Sequence, residues 1–364
     1  MKIIVLGTRG IPNILGGVET HSEQLYPRIV TEGHNVTVIT RTPYVVDKTV
    51  NVYKGVSLKH IYAPKLKSLE AIVHTFLGVL YAACKRPDVL HIHAVGPMLL
   101  TPLARLFGLK VVVTNHGPDY DRQKWGKAAK TLLKTGERFG TKTANKVIVI
   151  SNVINNILKK KYHRNDALLI YNGVNIPERA TQSDYIQSKG LERDKYLIAV
   201  GRFVKEKGFS DLIEAYKAIN TPYKLVLVGD ADHETSYSKH LKKQAIEAGI
   251  VLTGFIKGEA LHQVFSHARL FIMPSYHEGL PIALLEAMSY NLDVLVSNIP
   301  ANLEVALEDK HYFEVGNIKA LSKSILNALE SSGALIDNSR LMHDTYNWDI
   351  IAKKTIEVYK SLKS

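Results

Sequence analysis

Short apolar runs of four to six residues recur along the whole chain, and longer stretches with apolar positions three and four apart separate them. The runs have the length and β-branched bias of buried strands, and the stretches between them have the period of amphipathic helices. In the first half, strands are expected at Lys2–Leu6, Asn35–Thr40, Val56–Ile61, Val89–His93, Lys110–Asn115, Lys146–Ile150 and Ala167–Tyr171. Helical patterns cover Val18–Thr31, Leu69–Lys85, Asp121–Ala144 and Asn152–Lys161. A second series has strands at Tyr196–Val200, Lys224–Val228, Ile250–Thr253, Leu270–Met273, Val294–Ser297 and Tyr312–Glu314. Its helices are expected at Phe209–Ile219, Ser236–Ala248, Gly258–His267, Leu280–Ser289, Pro300–Leu307 and Ile318–Ser331. Such alternation predicts an α/β chain of two doubly wound, Rossmann-like domains with parallel sheets, facing across a cleft. The polar, strand-free stretch Gly173–Arg193 marks the break, giving domains of residues 1–175 and 176–347.

Ligands of such sheets bind outside the carboxyl ends of the strands. Several loops follow strands at that edge: Gly7 to Gly16-Gly17, His116-Gly117, Gly201-Arg202, Gly229-Asp230, Gly254-Phe255 and the loop holding Glu278. In the last, Glu278 lies in a strand-to-helix turn and Glu286 about two helical turns further on. Gly279 allows a sharp turn and Pro281 suits a first helical position, so the free amides of the Gly279-Leu280-Pro281 turn form an anion site between two acids. Arg202 and Lys207 follow a strand in the run Gly201-Arg202-Phe203-Val204-Lys205-Glu206-Lys207-Gly208, a basic pair suited to a pyrophosphate. Gly16-Gly17 before a helix suits close backbone approach to a phosphate or sugar, but the dinucleotide spacing Gly-x-Gly-x-x-Gly is absent. His116 ends a buried strand and can bond a hydroxyl. His91 and His93 share one face of a strand with no third ligand at useful spacing, which reads as a packed pair rather than a metal site. The triplets Asp119-Tyr120-Asp121 and Asp230-Ala231-Asp232 read as ordinary loop acids, with Asp230 lining the cleft.

Charge changes this picture in one respect. The net charge is +13, and residues 1–175 carry 25 Lys and Arg against 10 Asp and Glu, while residues 176–364 carry 22 against 24. The basic half is therefore expected to face something anionic. Lys127, Lys130, Lys134, Arg138 and Lys142, at spacings of three and four, form a stripe suited to anionic lipid or acceptor, with Trp125, Ala128, Leu132 and Phe139 on other parts of the helix. Nucleic acid is not expected, because no motif or interleaved aromatics accompany the basic helix. A single cysteine, Cys84, excludes an internal disulfide and a cysteine metal site. No signal peptide or membrane span is visible, so a cytoplasmic chain, peripheral on the inner face of the plasma membrane, is expected.

In order along the chain, Gly16-Gly17, His116-Gly117, Tyr171-Asn172-Gly173-Val174-Asn175, Gly201-Arg202, Lys207-Gly208, Gly229-Asp230, Gly254-Phe255, and Glu278 followed by Glu286 resemble the retaining glycosyltransferases of family four, which have the GT-B fold. The opening Gly-Thr-Arg-Gly-Ile-Pro and Gly-Gly-Val-Glu-Thr resemble a bacterial subgroup of rhamnosyl- and hexosyltransferases of surface polysaccharide assembly. The resemblance implies transfer of a hexosyl or deoxyhexosyl group from a nucleotide-diphosphate sugar to a glycan or lipid-linked acceptor, without metal or cofactor. It implies that Arg202 and Lys207 hold the diphosphate, Glu286 the ribose, and Glu278 with Gly279–Pro281 the donor sugar and phosphate. The base would lie by Phe255-Ile256 and His116 near the reacting carbon. A final helix near Ile350–Leu362 would cross back to the first domain. A nucleotide-sugar 2-epimerase and a non-catalytic sugar-nucleotide-binding protein are the alternatives. The run Tyr290-Asn291-Leu292-Asp293 and the acids after Gly229 depart from the family pattern.

Overall fold

The computed structural model describes residues 1–14, 16–66, 69–118, 120, 126–231, 234–330 and 337–362. It divides into two units, Met1–Gly173 with Trp348–Ser364, and Val174–Asn347.

The first unit is built on an eight-stranded sheet. Its strands are β1 (Lys2–Leu6), β2 (Asn35–Arg41), β3 (Val52–Tyr53), β4 (Val56–Ile61), β5 (Val89–His93), β6 (Val111–Asn115), β7 (Lys146–Val149) and β8 (Leu168–Leu169), in the order β3-β4-β2-β1-β5-β6-β7-β8. All pairs are parallel except β3 with β4. Residues Ile3–Leu6 of β1 and every residue of β5 are buried, as strands covered on both faces must be. The helices are α1 (Gly17–Thr31), α2 (Glu70–Lys85), α3 (Thr101–Leu106), α4 (Lys127–Thr143) and α5 (Asn152–Tyr162). The chain's last helix, Trp348–Lys360, packs on α1, and its Trp348, Ile351, Ile356 and Tyr359 enter the same core as Leu25, Tyr26 and Ile29.

The second unit has a six-stranded, wholly parallel sheet in the order β11-β10-β9-β12-β13-β14. The strands are β9 (Tyr196–Val200), β10 (Lys224–Val228), β11 (Val251–Gly254), β12 (Leu270–Met273), β13 (Asp293–Ser297) and β14 (Tyr312–Phe313). The helices are α6 (Asp184–Ser188), α7 (Phe209–Lys217), α8 (Ser236–Glu247), α9 (Gly258–Ser266), α10 (Ile282–Ser289), α11 (Pro300–Leu303), α12 (Ile318–Glu330) and α13 (Ser339–Thr345). In each sheet the strand order reverses beside the first strand, at β1/β5 and at β9/β12. These are the points where loops diverge and leave a crevice.

Every expected strand is present, with ends shifted by a residue or two. Among the described residues, the short strand β3 and the short α-helices α3, α6 and α13 were not expected. Each is too short for periodicity to show, and α3 follows a 3-10 turn at Pro97–Leu100 and has Pro102 in its first turn. The helix expected over 300–307 stops at Leu303, and Ala306 sits at φ +57°. The expected helix starting at Asp121 is described from Lys127; Asp121 and Trp125 lie outside the described residues, as do Asp119, Asp232 and Ser331.

Candidate active site

In the second unit, the loops after β9 and β12 meet at the switch point and are joined in three ways. Gly208 has φ +67°, and a Cβ there would lie 2.0 Å from the Pro274 carbonyl oxygen, so only glycine lets the loops touch. The Tyr276 N–H donates to the Glu206 carbonyl at 2.8 Å. The Lys207 ammonium donates to Glu278 Oε1 at 2.6 Å, with the two side chains 19% and 11% exposed. Spacing alone assigns Lys207 and Glu278 separate duties toward a ligand, whereas the structure pairs them with each other. A phosphate arriving here competes with the carboxylate for an ammonium already held in place. Arg202 leaves the same strand end, half-buried.

Gly279 and Leu280 lead into α10, whose N-cap is Pro281 with φ −81° and ψ 108°. The expectation of Pro281 as first helical residue is therefore one position off. Its extended backbone puts it just outside, and the first-turn amides from Ile282 onward are the ones left without intrahelical acceptors. On α10, Glu286 lines a cavity of about 160 Å³ with Asn175, His262, Phe265, Ser289 and Tyr290. Burial pushes its carboxyl up to about 7, against the opposing pull of the Lys257 charge. Phe255 is exposed, with the Lys257 ammonium 5.7 Å from its ring centre, and Ile256 beside it is half-buried. Asp230 pairs with Lys242 at 2.7 Å. Burial raises its pKa, but the Lys242 and Ala231 hydrogen bonds outweigh this and hold it low. That pairing makes Asp230 less of a bare cleft-lining acid than its position after β10 suggests.

In the first unit the crevice at β1/β5 is lined with imidazoles. Gly16 is the N-cap of α1 at φ +147°, and Gly17 has open space on its Cβ side. One turn in, the buried Glu19 accepts from the Arg9 N–H at 2.9 Å and ties down the loop after β1. His21 of α1 pairs through Nδ1 with Asn172 Oδ1 at 2.9 Å. His116 Nε2 meets His93 Nδ1 at 2.9 Å, and Tyr26 bonds His93 Nε2. His91 stacks on His93 with ring centres 4.2 Å apart and bonds Tyr359 and Thr114.

The absence of a third histidine near His91 and His93 in sequence does not hold in space. Nitrogens of His21, His93 and His116 lie within 4.8 Å of one another. The three come from α1, β5 and the end of β6, distant in sequence and adjacent only because the sheet order reverses there. Burial is the main reason all four imidazoles stay neutral. It lowers His21 to about 4 and His91 to about 3, and His93 and His116 fall well below the usual range. Neutral imidazoles offer one donor and one acceptor each. Half-buried His116, where the other three are buried, is the one placed to bond a sugar hydroxyl, and the grouped nitrogens of His21, His93 and His116 have the chemistry of a divalent-ion site.

The basic helix α4 turns Gly136, Glu137, Gly140 and Thr141 inward. Lys127, Lys134, Arg138 and Lys142 are exposed and Lys130 is half-buried. Leu132 and Phe139, expected on other parts of the helix, are 38% and 40% exposed. Among the described residues no helix is long and apolar enough to cross a membrane.

Two family models match, "Glycosyltransferase Family 4" over residues 15–178 and "Glycosyl transferases group 1" over residues 181–347, together nearly the whole chain. An uncharacterised glycosyltransferase of Methanocaldococcus jannaschii is 25% identical over 99% of this chain and 98% of its own length. An O-antigen chain mannosyltransferase of Salmonella typhimurium is 27% identical over 52% of each chain. Among solved structures, a sucrose-phosphate synthase from Thermosynechococcus elongatus superposes with a TM-score of 0.86 at 21% identity, covering 99% of this chain and 98% of that one. The Anabaena protein HepE, solved with UDP-glucose, gives 0.82 at 19% identity over 99% of this chain and all of its own.

Proposed function

The chain belongs to the group 1, family 4 glycosyltransferases, retaining enzymes of GT-B fold, and from that premise we propose its reaction. It moves a hexosyl or deoxyhexosyl group from a nucleotide-diphosphate sugar to a hydroxyl of a glycan or lipid-linked acceptor in bacterial surface polysaccharide synthesis. The observation that carries this reading is the joined loop pair of the second unit, Lys207 against Glu278, with Glu286 on the helix that follows.

Arg202 and Lys207 take the donor diphosphate, whose charge grows as the glycosyl bond breaks. Preplaced cations there stabilise the leaving group more than the ground state. Glu286, once ionised, accepts from the ribose hydroxyls, and Phe255 and Ile256 flank the base. Glu278, its ammonium partner turned to phosphate, accepts from the donor sugar. The acceptor hydroxyl attacks the anomeric carbon on the face the diphosphate leaves, and its proton passes to the departing phosphate oxygen. No metal takes part. His116 contacts the donor sugar as a neutral hydrogen-bonding group, as its lowered pKa favours. The first unit carries the acceptor side, and its α4 stripe lies on an anionic membrane surface, supported by exposed Leu132 and Phe139 among the cations. That a Salmonella O-antigen mannosyltransferase is among the relatives supports the polysaccharide setting.

The experiment is transfer from a panel of nucleotide sugars to lipid-phosphate and free-sugar acceptors in EDTA, with NMR of the product's anomeric centre. Product of retained configuration in EDTA is expected. Inversion, strict metal dependence, or turnover of the sugar nucleotide without an acceptor would remove the reading. Neutralising Lys130, Lys134 and Arg138 should weaken binding to anionic vesicles, on the order of 1 kcal/mol per charge. Unchanged binding would leave the stripe a solvated face.

A further inference from the structure

Beneath the basic stripe of α4 lies a carboxylate that the reaction above does not use. Glu137 is 1% exposed and faces inward, and among the described residues it has no ion pair with a basic side chain. Its Oε1 accepts from the Asn115 amide at 3.1 Å. Its Oε2 accepts from the hydroxyls of Tyr120 at 2.9 Å and Tyr162 at 2.7 Å. Asn115 closes β6, and its Oδ1 accepts from the Gly117 N–H at 2.9 Å. His116 stands between those two residues, and Tyr120 follows on the other side of the turn. Helix α4 is pressed close enough to bring Glu137 there because Gly136 faces the Val95 carbonyl, where a Cβ would sit 2.2 Å from the oxygen.

The polarity of this arrangement is fixed. A carboxylate can only accept, so the Asn115 amide must turn its NH₂ to Glu137 and its oxygen to Gly117. We propose that Glu137 is a positioning residue for transfer: its buried carboxylate orients the Asn115 amide, which in turn sets the His116–Gly117 turn and so the His116 ring. The inference rests on the reading that His116 contacts the donor sugar. It adds a residue that touches no substrate and acts through Asn115.

The test exploits the polarity. Glu137→Gln keeps shape but has one oxygen for three donors: turned to Asn115 it leaves two phenol hydroxyls without their acceptor, and left with the phenols it sets its NH₂ against the Asn115 NH₂. Asn115 must then flip and present NH₂ to the Gly117 N–H, or lose the contact. Asn115→Asp puts two carboxylates against each other. The double variant Asn115→Asp with Glu137→Gln restores every bond: the new carboxylate at position 115 accepts both from the Gly117 N–H and from the new amide at position 137. Each single variant is expected to lower kcat about 10- to 100-fold, the scale of a misplaced catalytic group, with the Kd for the nucleoside diphosphate unchanged, and the double variant to recover most of kcat.

His116→Ala is measured in parallel. If it turns over normally, the donor-sugar reading of His116 fails, and the positioning role with it. If it is crippled while Glu137→Gln is near normal, the positioning role alone is overturned. Loss of kcat in step with thermal stability and without rescue by the double variant also overturns it. So does failure of the double variant to fold, since that variant keeps the bonding pattern.

Discussion

The two switch-point crevices hold their polar groups in opposite ways. In the first unit, the crevice between β1 and β5 is packed with neutral bases: four imidazoles stripped of charge by burial and satisfied by one another, by Tyr26 and Tyr359, and by Asn172. In the second, the crevice between β9 and β12 keeps full charges, Lys207 against Glu278 at 2.6 Å, with an acid poised near neutrality at Glu286. On the proposed reading, charges suit the half that would meet a diphosphate, while neutral donors and acceptors suit a half that would handle hydroxyls. The same fold thus supplies two chemical environments, and burial decides which.

The contrast breaks first at the basic pair. Arg202→Ala or Lys207→Ala should lower turnover by about 10² or more, because a preorganised charge at the leaving group acts in the transition state. Near-normal rates would remove the leaving-group role. The loss at Lys207 is the loss of a structural ion pair only if Glu278→Gln matches it in both stability and rate.

A smaller effect separates the units by pH. The four crevice histidines of the first unit, His21, His91, His93 and His116, have folded pKa values below the unfolded value of about 6.5. The unfolded chain therefore binds more protons in acid, and their contribution to stability, present above about pH 6.5, is lost as pH falls toward 3 to 4. Glu286 is raised, so its contribution runs the other way: present below its unfolded value and lost as pH rises through about 7. No tryptophan lies between residues 174 and 347, and Trp348 is buried in the core of the first unit. Tryptophan fluorescence should therefore report unfolding at mild acid before hydrogen exchange in β9 and β12 rises. Simultaneous loss of both would show that the neutral histidines do not distinguish the units.

What the chain reveals before folding follows the length of the signal. Strands such as Ile3–Leu6 and Leu270–Met273 are continuous apolar runs, and they sit where expected. Glu286 and Arg202 could be singled out as candidates, the one by its spacing from Glu278 and the other because it directly follows a strand. Their surroundings were not legible. The Lys207–Glu278 pair spans 71 residues and forms only because β9 and β12 are neighbours. The meeting of His21, His93 and His116 has the same origin. Glu137 was hidden for a different reason. On a helix read for its cations it looked like one acid among them, and only the inward packing of Gly136 and Gly140 turns it to the core.

If the second unit holds the donor as proposed, Glu286 must be ionised for it to do so. Calorimetric titration of the best nucleotide-diphosphate sugar from about pH 5.5 to 8.5, in EDTA, tests it directly. With a carboxyl near 7, only about a tenth is ionised at pH 6, so the apparent Kd should be about tenfold weaker there than at pH 8 and above. Glu286→Gln should bind weakly and without that slope. A Kd flat across the range in the wild type, or a Glu286→Gln variant that binds as tightly and with the same slope, would contradict the account.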